Sequence, residues 1–472
     1  MATTRSSNET FATVAQRAAA GKAARTACPR ASHAEWSSAL RTVDPLDLLA
    51  EQATTRVPEL IPIRYGRMAA SPFAYFRGAA LPMAADLAAV PRTGVRVQLC
   101  GDAHLSNFGG FASPERDLVF DVNDFDETNP GPFEWDVKRL AASLEIAGRG
   151  RGFDAGTNRA IVLQAVRTYR ETVRGFSLLP KLDIWYAKLD APAVLAIWGN
   201  DAGGATLDSL RKAVAKAGSK DRLKARNKLT QMVDGQLEFR SDPPLLVPID
   251  DVFHEPEHAA NLEASLRAAL VSYRRTISSD RRALLNTFRY VATARKVVGV
   301  GSVGTRCWLA LFVGRDNDDP LLLQIKEAEA SVLERFTTKS TAANHGQRVV
   351  EGQRLMQAAS DIFLGWQRSP APDGVTRDFY VRQLWDWKAS ADVDTMDPEL
   401  LGVYAGMCAW TLARAHARSG DAVMLAGYLG ANSGFDRALA DFAVAYADQN
   451  EVDHQTLVDA IKDGRIIAES DI

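Results

Sequence analysis

Two short stretches early in the chain, Val95 to Cys100 and Asp117 to Val122, carry apolar residues in strand spacing. They predict two strands, with the polar segment Gly101 to Asn107 and a Ser-Pro turn between them. The period changes after Asn129-Pro130-Gly131-Pro132: EWDVKRLAASLEIA places apolar residues on one helical stripe, and Arg149 to Gly152 ends it. Helical spacing continues through Thr157 to Gly175, Asp183 to Trp198, Thr206 to Asp234 and Pro256 to Lys296, so the middle of the chain predicts a helical subdomain. Pro58 to Gly78 mixes prolines, aromatics and arginines without a helical period and predicts an ordered loop.

At Val297 the texture turns β-rich. The segment to Ala328 predicts a Gly-rich hairpin, the strand CWLALFV, a turn at Asp316 to Pro320 and the strand LLLQIK. A helix over Gly346 to Gly365, the strand RDFYVRQLWDW and helices from Pro398 onward complete the pattern. The expected division is an N-terminal extension (1–60), a large lobe with a helical subdomain (61–296), a small β-rich lobe (297–390) and C-terminal helices that complete the large lobe (391–472).

Composition narrows the class. Of 472 residues, 46% are hydrophobic and 24% charged, which is ordinary for a folded chain and leaves no shortage of core. Lys and Arg number 56 against 58 Asp and Glu, a net charge of −2 that argues against a general drive toward nucleic acid or anionic membrane. The basic runs Arg211 to Lys228 and Arg274 to Lys296 accordingly read as solvated helix faces. Val297 to Gly314, the most apolar run, contains Arg306 and four glycines and does not suit a membrane span. The first 31 residues lack an apolar secretion core, and the four dispersed cysteines, without a C-x-x-C, suit reduced thiols, so a cytoplasmic location is expected.

The candidate chemistry lies in two constellations. In the first, Gly101-Asp102-Ala103-His104-Leu105-Ser106-Asn107 puts a carboxylate and an amide five positions apart, and Asp124-Phe125-Asp126 follows 22 residues after Asp102. Phosphoryl transfer needs a carboxylate to receive the attacking hydroxyl's proton, an amide oxygen and carboxylates for Mg²⁺. Asp102 is the candidate base, His104 a candidate for orienting the loop, and Asn107, Asp124 and Asp126 the candidate metal ligands. If the strand ran on, Asp124 and Asp126 would share a face and Asp121 would point away as a structural group.

In the second, Gly299-Val300-Gly301-Ser302-Val303-Gly304 is a G-x-G-x-x-G, with Lys326 on a strand 22 residues beyond Gly304. A strand follows the glycines where a dinucleotide fold requires a helix, so a hairpin over phosphate oxygens is expected, with Lys326 pairing to them. Glu351 is the candidate acid for Lys326, with Glu329 and Glu334 as competitors, and Tyr380 to Trp387 the strand leading to an interlobe hinge. Arg64, Arg67 and Arg77 are candidates for phosphate or an acidic substrate, beside an equal expectation of structural roles. Asp421, in AHARSGD, looks like a rival base, but the position five beyond it is Ala426, which cannot bind metal.

Together these motifs resemble the protein-kinase-like superfamily, nearest its aminoglycoside-phosphotransferase branch. The fuller pattern IRYGRMAASPFAYFRGAA, CGDAHLSNFG, DVNDFDE and GQRVVEGQRLMQAASDIFLGW resembles the bacterial family called domain of unknown function 2252 over nearly the whole chain. The kinase-like resemblance implies an α+β bilobal fold, ATP and Mg²⁺, Asp102 as base, Asn107 and Asp124 as ligands, and Gly299 to Gly304 with Lys326 as a nucleotide clamp. It also implies that Asp136, at a helix start, hydrogen-bonds the catalytic loop. Two departures stand out. The glycines and lysine follow Asp102 instead of preceding it, which implies a circular permutation. Cys100 stands where a histidine is usual.

The expected activity is therefore phosphoryl transfer from ATP to a hydroxyl of a small molecule or protein. A metal-dependent phosphohydrolase, a nucleotide-binding pseudokinase and an AMP-transferring protein stand as alternatives. The first of these needs metal histidines that seven His residues do not supply in a G-N-H setting.

Overall fold

The computed structural model describes residues 12–199, 203–218, 222–252, 256–370, 374–384, 387 and 389–469. The chain is mixed α+β, with helices in the majority. Of its first four strands, the two at Arg96–Leu99 and Leu118–Val122 follow the expected pattern and the other two are additions to it. β1 (Arg96–Leu99) alternates outward and inward residues and pairs antiparallel with β4 (Asn129–Pro132), Leu99 opposite Asn129. Between them, β2 (Phe108–Ala112) and β3 (Leu118–Val122) form a hairpin, Phe108 opposite Val122. The prolines of β4 are tolerated because a two-stranded ladder leaves one edge free of pairing.

A two-stranded ladder of β5 (Thr230–Val233) and β6 (Gln236–Phe239) precedes a six-stranded antiparallel sheet. That sheet contains β7 (Leu246–Pro248), β8 (Arg289–Lys296), β9 (Cys307–Val313), β10 (Pro320–Ala328), β11 (Gly365–Pro370) and β12 (Thr376–Gln383), in the order β11-β12-β10-β9-β8-β7. β9 is apolar at every position because both faces of the sheet are covered. Trp308, Ala310 and Phe312 face one core with Leu266, Leu270 and Tyr273 of the helix Pro256–Tyr273; Leu309, Leu311 and Val313 face another with Leu229, Leu237 and Phe239. A short β13 (Ala389–Ser390) returns to pair with β2.

The largest core belongs to the helices Glu134–Gly150, Ala155–Phe176, Pro398–Ser419 and Gly434–Lys462. Glu134–Gly150 is enclosed up to its last turn and buries every charged residue but Arg149, each requiring a partner. Thr93 satisfies Glu134 with its N–H at 2.7 Å and its hydroxyl at 2.8 Å. Among the described residues no helix is long and apolar enough to cross a membrane. All four cysteines are free and buried.

Several expected elements differ. Pro58 to Gly78 is helical, as Ile61–Ala69 and Pro72–Gly78: Pro62 and Pro72 stand in first turns, where a missing N–H costs nothing. The expected helix Pro256 to Lys296 stops at Tyr273, with a short helix Ser279–Leu285 before β8. The Gly-rich segment therefore joins two strands, and the sheet begins before residue 297. The expected helix Thr206 to Asp234 yields to β5 at Thr230, and that over Gly346 to Gly365 occupies only His345–Met356. Of the expected hinge strand, Trp385 and Asp386 lie outside the described residues.

Candidate functional site

β1 delivers the chain to Gly101, whose φ of +86° and closeness to the Glu127 backbone admit no side chain: a Cβ there would lie 2.2 Å from the Glu127 carbonyl oxygen. Asp136, in the first turn of Glu134–Gly150, accepts the backbone N–H groups of Cys100 at 2.8 Å and Gly101 at 3.0 Å. Behind it, His416 Nε2 lies 3.2 Å from Asp136 Oδ2, and His416 Nδ1 lies 2.8 Å from the Tyr169 hydroxyl. Three buried side chains thus hold the loop's first turn. Cys100, at the departure from the usual histidine, is a buried thiol pushed well up by desolvation.

Asp102 Oδ1 accepts Arg139 Nε at 2.8 Å, and the Asp102 carbonyl accepts Asn107 Nδ2 at 2.8 Å. Burial raises the Asp102 carboxyl above the ordinary range against the pull of Arg139 and Arg77, which suits a proton acceptor. His104 Nε2 is 3.6 Å from Asp102 Oδ2. Burial, with Arg77 and Arg139 nearby, keeps this imidazole neutral, and its Nδ1 has no hydrogen-bond partner.

The acidic segment is a loop, because β3 ends at Val122. Asn123 N–H donates to the Asn107 carbonyl at 2.8 Å, tying it to the Asp102 loop. Asp124 Oδ1 accepts the Asp126 N–H at 3.1 Å, and this turn, not strand alternation, sets both carboxylates toward Lys326. Lys326 Nζ donates to Asp126 Oδ2 and lies 3.9 Å from Asp124 Oδ2. Asp126 also accepts the Tyr380 hydroxyl at 2.8 Å and the Ser302 hydroxyl at 3.1 Å. Burial opposes ionisation of Asp126, but Lys326 and Tyr380 outweigh it and hold the carboxyl below the usual range. Asp124 is raised, by burial and then by the charge of Asp126. Lys326 is held protonated by the two aspartates against its own desolvation. Asp121 turns the other way into Arg414, at 2.5 and 2.6 Å, as a structural pair.

The glycine segment makes a single 3₁₀ turn at Val300–Ser302. Arg56 donates to the carbonyls of Val303 and Gly301, and Arg67 to that of Val298 at 2.9 Å. Arg64, a candidate for substrate beside a structural role, is fully buried and bonded to Gln52 and the Gly78 carbonyl.

A cavity of about 910 Å³ joins these parts. Asp102, His104, Asn107, Asp124, Asp126, Gly299, Gly301, Ser302 and Lys326 line it. Two expected members do not. Gly304, at φ +90°, packs on the Arg56 side chain instead. Glu351 is on the solvent side of its helix, bonded to Gln347 at 2.6 Å, because Val349, Val350 and Gln353 fill the inward face. The partner of Lys326 is Asp126: among the described residues no ion pair joins Lys326 to Glu329 or Glu334, and the Glu334 carboxylate lies 3.7 Å from the Arg348 guanidinium. The rival Asp421 caps the helix Ala422–Leu429.

Sequence reasoning missed Arg139, Arg348 and Arg382. Arg348 donates to the carbonyls of Asp126, Thr128 and Glu329 and so pins the acidic loop to the end of β10. Arg382 reaches the Asn123 carbonyl at 3.0 Å and Gln324 Oε1 at 2.9 Å. Arg139 had a signal: it stands three positions after Asp136, on the same helix face as that loop-binding acid.

Among the described residues no group of three or more His, Cys, Asp or Glu side chains is arranged to hold a metal ion. The oxygens of Asp124, Asp126 and Asn107 at the cavity wall are hard donors that suit a cation completing its shell with water and phosphate. Residues 56–460 match a family described as "Uncharacterized protein conserved in bacteria (DUF2252)". The chain belongs to this family. No curated protein and no solved structure matches the chain.

Proposed function

We propose that this member of the family is an ATP- and Mg²⁺-dependent phosphotransferase with a kinase-like, circularly permuted arrangement, acting on a hydroxyl of a small molecule or protein. The observation that carries the reading is the convergence of Asp102, Asn107, Asp124, Asp126, Lys326 and the Gly299–Ser302 turn, drawn from three distant parts of the chain, on one cavity. The six-stranded sheet takes the part of the small lobe, and the helices around Glu134–Gly150 and Pro398–Ser419 that of the large one.

In this reading Lys326 and the turn at Gly299 to Ser302 hold the nucleotide's phosphates. Asp102 receives the proton of the attacking hydroxyl as its oxygen bonds to the terminal phosphorus. The bond from that phosphorus to its bridging oxygen breaks, and the electron pair leaves with the nucleoside diphosphate. Arg139 fixes the Asp102 carboxylate through Oδ1 and leaves Oδ2 for this proton. Asp124, Asp126 and the Asn107 amide oxygen would hold Mg²⁺, which supplies charge neutralisation at the phosphates. Asp124 supports this assignment, since its carboxyl is disfavoured as an anion by burial and by Asp126 and gains from a cation.

The test is calorimetric titration of the full chain with a non-hydrolysable ATP analogue and Mg²⁺. Binding at one site that is lost in Lys326→Ala is expected. Absence of binding to the wild-type protein with Mg²⁺ would refute the reading.

A further inference from the structure

Arg77 differs from five arginines that are tied down around the cavity. Arg56 and Arg67 are bonded to carbonyls of the glycine segment, Arg139 to Asp102 and the Phe76 carbonyl, Arg348 to the acidic loop, and Arg382 to Asn123 and Gln324. Arg77 makes no ion pair among the described residues, and its Nε is buried without a hydrogen-bond partner. Its side chain lines the cavity. On one side is the glycine turn, where a Cβ on Gly299 would stand 3.9 Å from Arg77 Nη2. On the other are carboxylates, that of Asp102 foremost, followed by Asp394 and Asp124. The guanidinium so stands beside the turn assigned to the donor phosphates, in the same cavity as the carboxylate assigned to the acceptor hydroxyl and within its electrostatic reach.

A half-buried guanidinium pays for its lost hydration unless an anion completes it. The helix Pro72–Gly78 fixes its base: Ser71 caps the first turn, and Tyr75 and Phe76 anchor the helix in the core. The Arg139 guanidinium stacks on the Phe76 ring at 4.0 Å, so the mounting of Arg77 is continuous with that of Asp102. Five fixed donors over such a gap match the oxygens of a phosphoryl group better than a lysine would.

We propose that Arg77 is a catalytic residue that binds the phosphoryl group in transit, an arginine supplied in cis to neutralise charge on its equatorial oxygens as the acceptor bond forms and the bridging bond breaks. This rests on the phosphotransferase reading. Arg77 contributes little to the ground state, where the phosphates are held by Lys326 and the glycine turn, and much to the transition state.

The experiment compares two probes on the full chain, a non-hydrolysable ATP analogue and ADP with aluminium fluoride, both with Mg²⁺, by calorimetry. In Arg77→Ala the analogue's Kd should stay within about threefold, and affinity for ADP with aluminium fluoride should fall by about 100-fold or more, in line with the worth of arginines supplied to phosphoryl transfer. Arg77→Lys should fall between, and both variants should melt with the wild type, since the guanidinium makes no hydrogen bond or ion pair among the described residues. Equal binding of the fluoride complex by wild type and Arg77→Ala would overturn the proposal while leaving the phosphotransferase reading intact, as would an equal loss of both probes. A wild-type chain that binds neither probe overturns that reading and this proposal with it.

Discussion

Lys326 Nζ donates to Asp126 Oδ2 across 200 residues of sequence, joining the central strand of the six-stranded sheet to the loop after β3. Lys326 is 2% exposed, so its charge is sustained by that carboxylate and by Asp124 at 3.9 Å. Breaking a buried pair leaves the survivor uncompensated, and the partial exposure of Asp126 reduces the cost. Lys326→Met and Asp126→Asn should each destabilise the chain by about 2 kcal/mol, and the double variant by less than their sum, with a coupling of about 1–3 kcal/mol in urea melts. Strict additivity would show that the contact carries no stability.

The acid first expected to face Lys326 supplies a control. Among the described residues Glu351 bonds only to its helical neighbour Gln347 at the surface. Glu351→Gln should shift stability by no more than about 0.5 kcal/mol and leave nucleotide affinity unchanged. A tenfold loss of affinity would return Glu351 to the site.

Asp102 is held by Arg139 on one oxygen and raised by burial, a combination that keeps it positioned and basic. Asp102→Asn retains an oxygen for Arg139 but takes no proton. Release of ADP from ATP and Mg²⁺ should fall by about 10²–10⁴-fold while affinity for the ATP analogue stays within about threefold. Unchanged turnover would remove Asp102 from the base role.

Why some of this was legible in the sequence and some was not follows from range. The strands around Gly101 to Asn107 and the fully apolar β9 announce themselves because their period is local. Asp136 was legible only through the kinase-like resemblance, which implies an acid at a helix start bonded to the loop. What could not be read is which distant groups meet. Lys326 needs an acid, and nothing in the spacing distinguishes Glu351, 25 positions later, from Asp126, 200 positions earlier. The helix at Pro58 to Gly78 was obscured by prolines that act as starts, and β8 by charged residues on a strand whose partners lie elsewhere. Arg77 drew notice only as one of three arginines; burial and bonding of Arg64 and Arg67 single it out.

Asp121 and Arg414, each about 1% exposed, form a fully buried pair beside the site. Asp121 sits at the end of β3 and also accepts the Ala358 N–H at 2.8 Å and the Val122 N–H at 2.9 Å; Arg414 also donates to the Met356 carbonyl. Arg414→Met leaves a buried carboxylate and should cost about 3–5 kcal/mol, lowering the melting temperature by several degrees. Because the pair faces away from the cavity, nucleotide affinity of the folded fraction should not change. A variant as stable as the wild type would refute the structural role.

His33 gives the clearest pH dependence. It is 1% exposed, its Nε2 lies 2.7 Å from the Tyr428 hydroxyl, and its ring meets Phe435 edge-on. Burial, aided by Lys138, lowers its pKa from the ordinary 6.5 to about 3. Above pH 6.5 the imidazole is neutral folded and unfolded alike and adds no slope. Below it, the unfolded chain takes up a proton that the folded one refuses, so stability falls as pH drops, by about 1.4 kcal/mol per unit, and the loss levels off near pH 3. His33→Gln keeps a hydrogen-bonding group for the Tyr428 hydroxyl and removes the titration. At pH 7.5 it should be less stable than the wild type by about 1–2 kcal/mol from poorer packing. Between pH 6.5 and 4.5 the difference should shrink and then reverse in paired thermal melts. Parallel stability curves over that interval would show that His33 is protonated in the folded chain as readily as in the unfolded one.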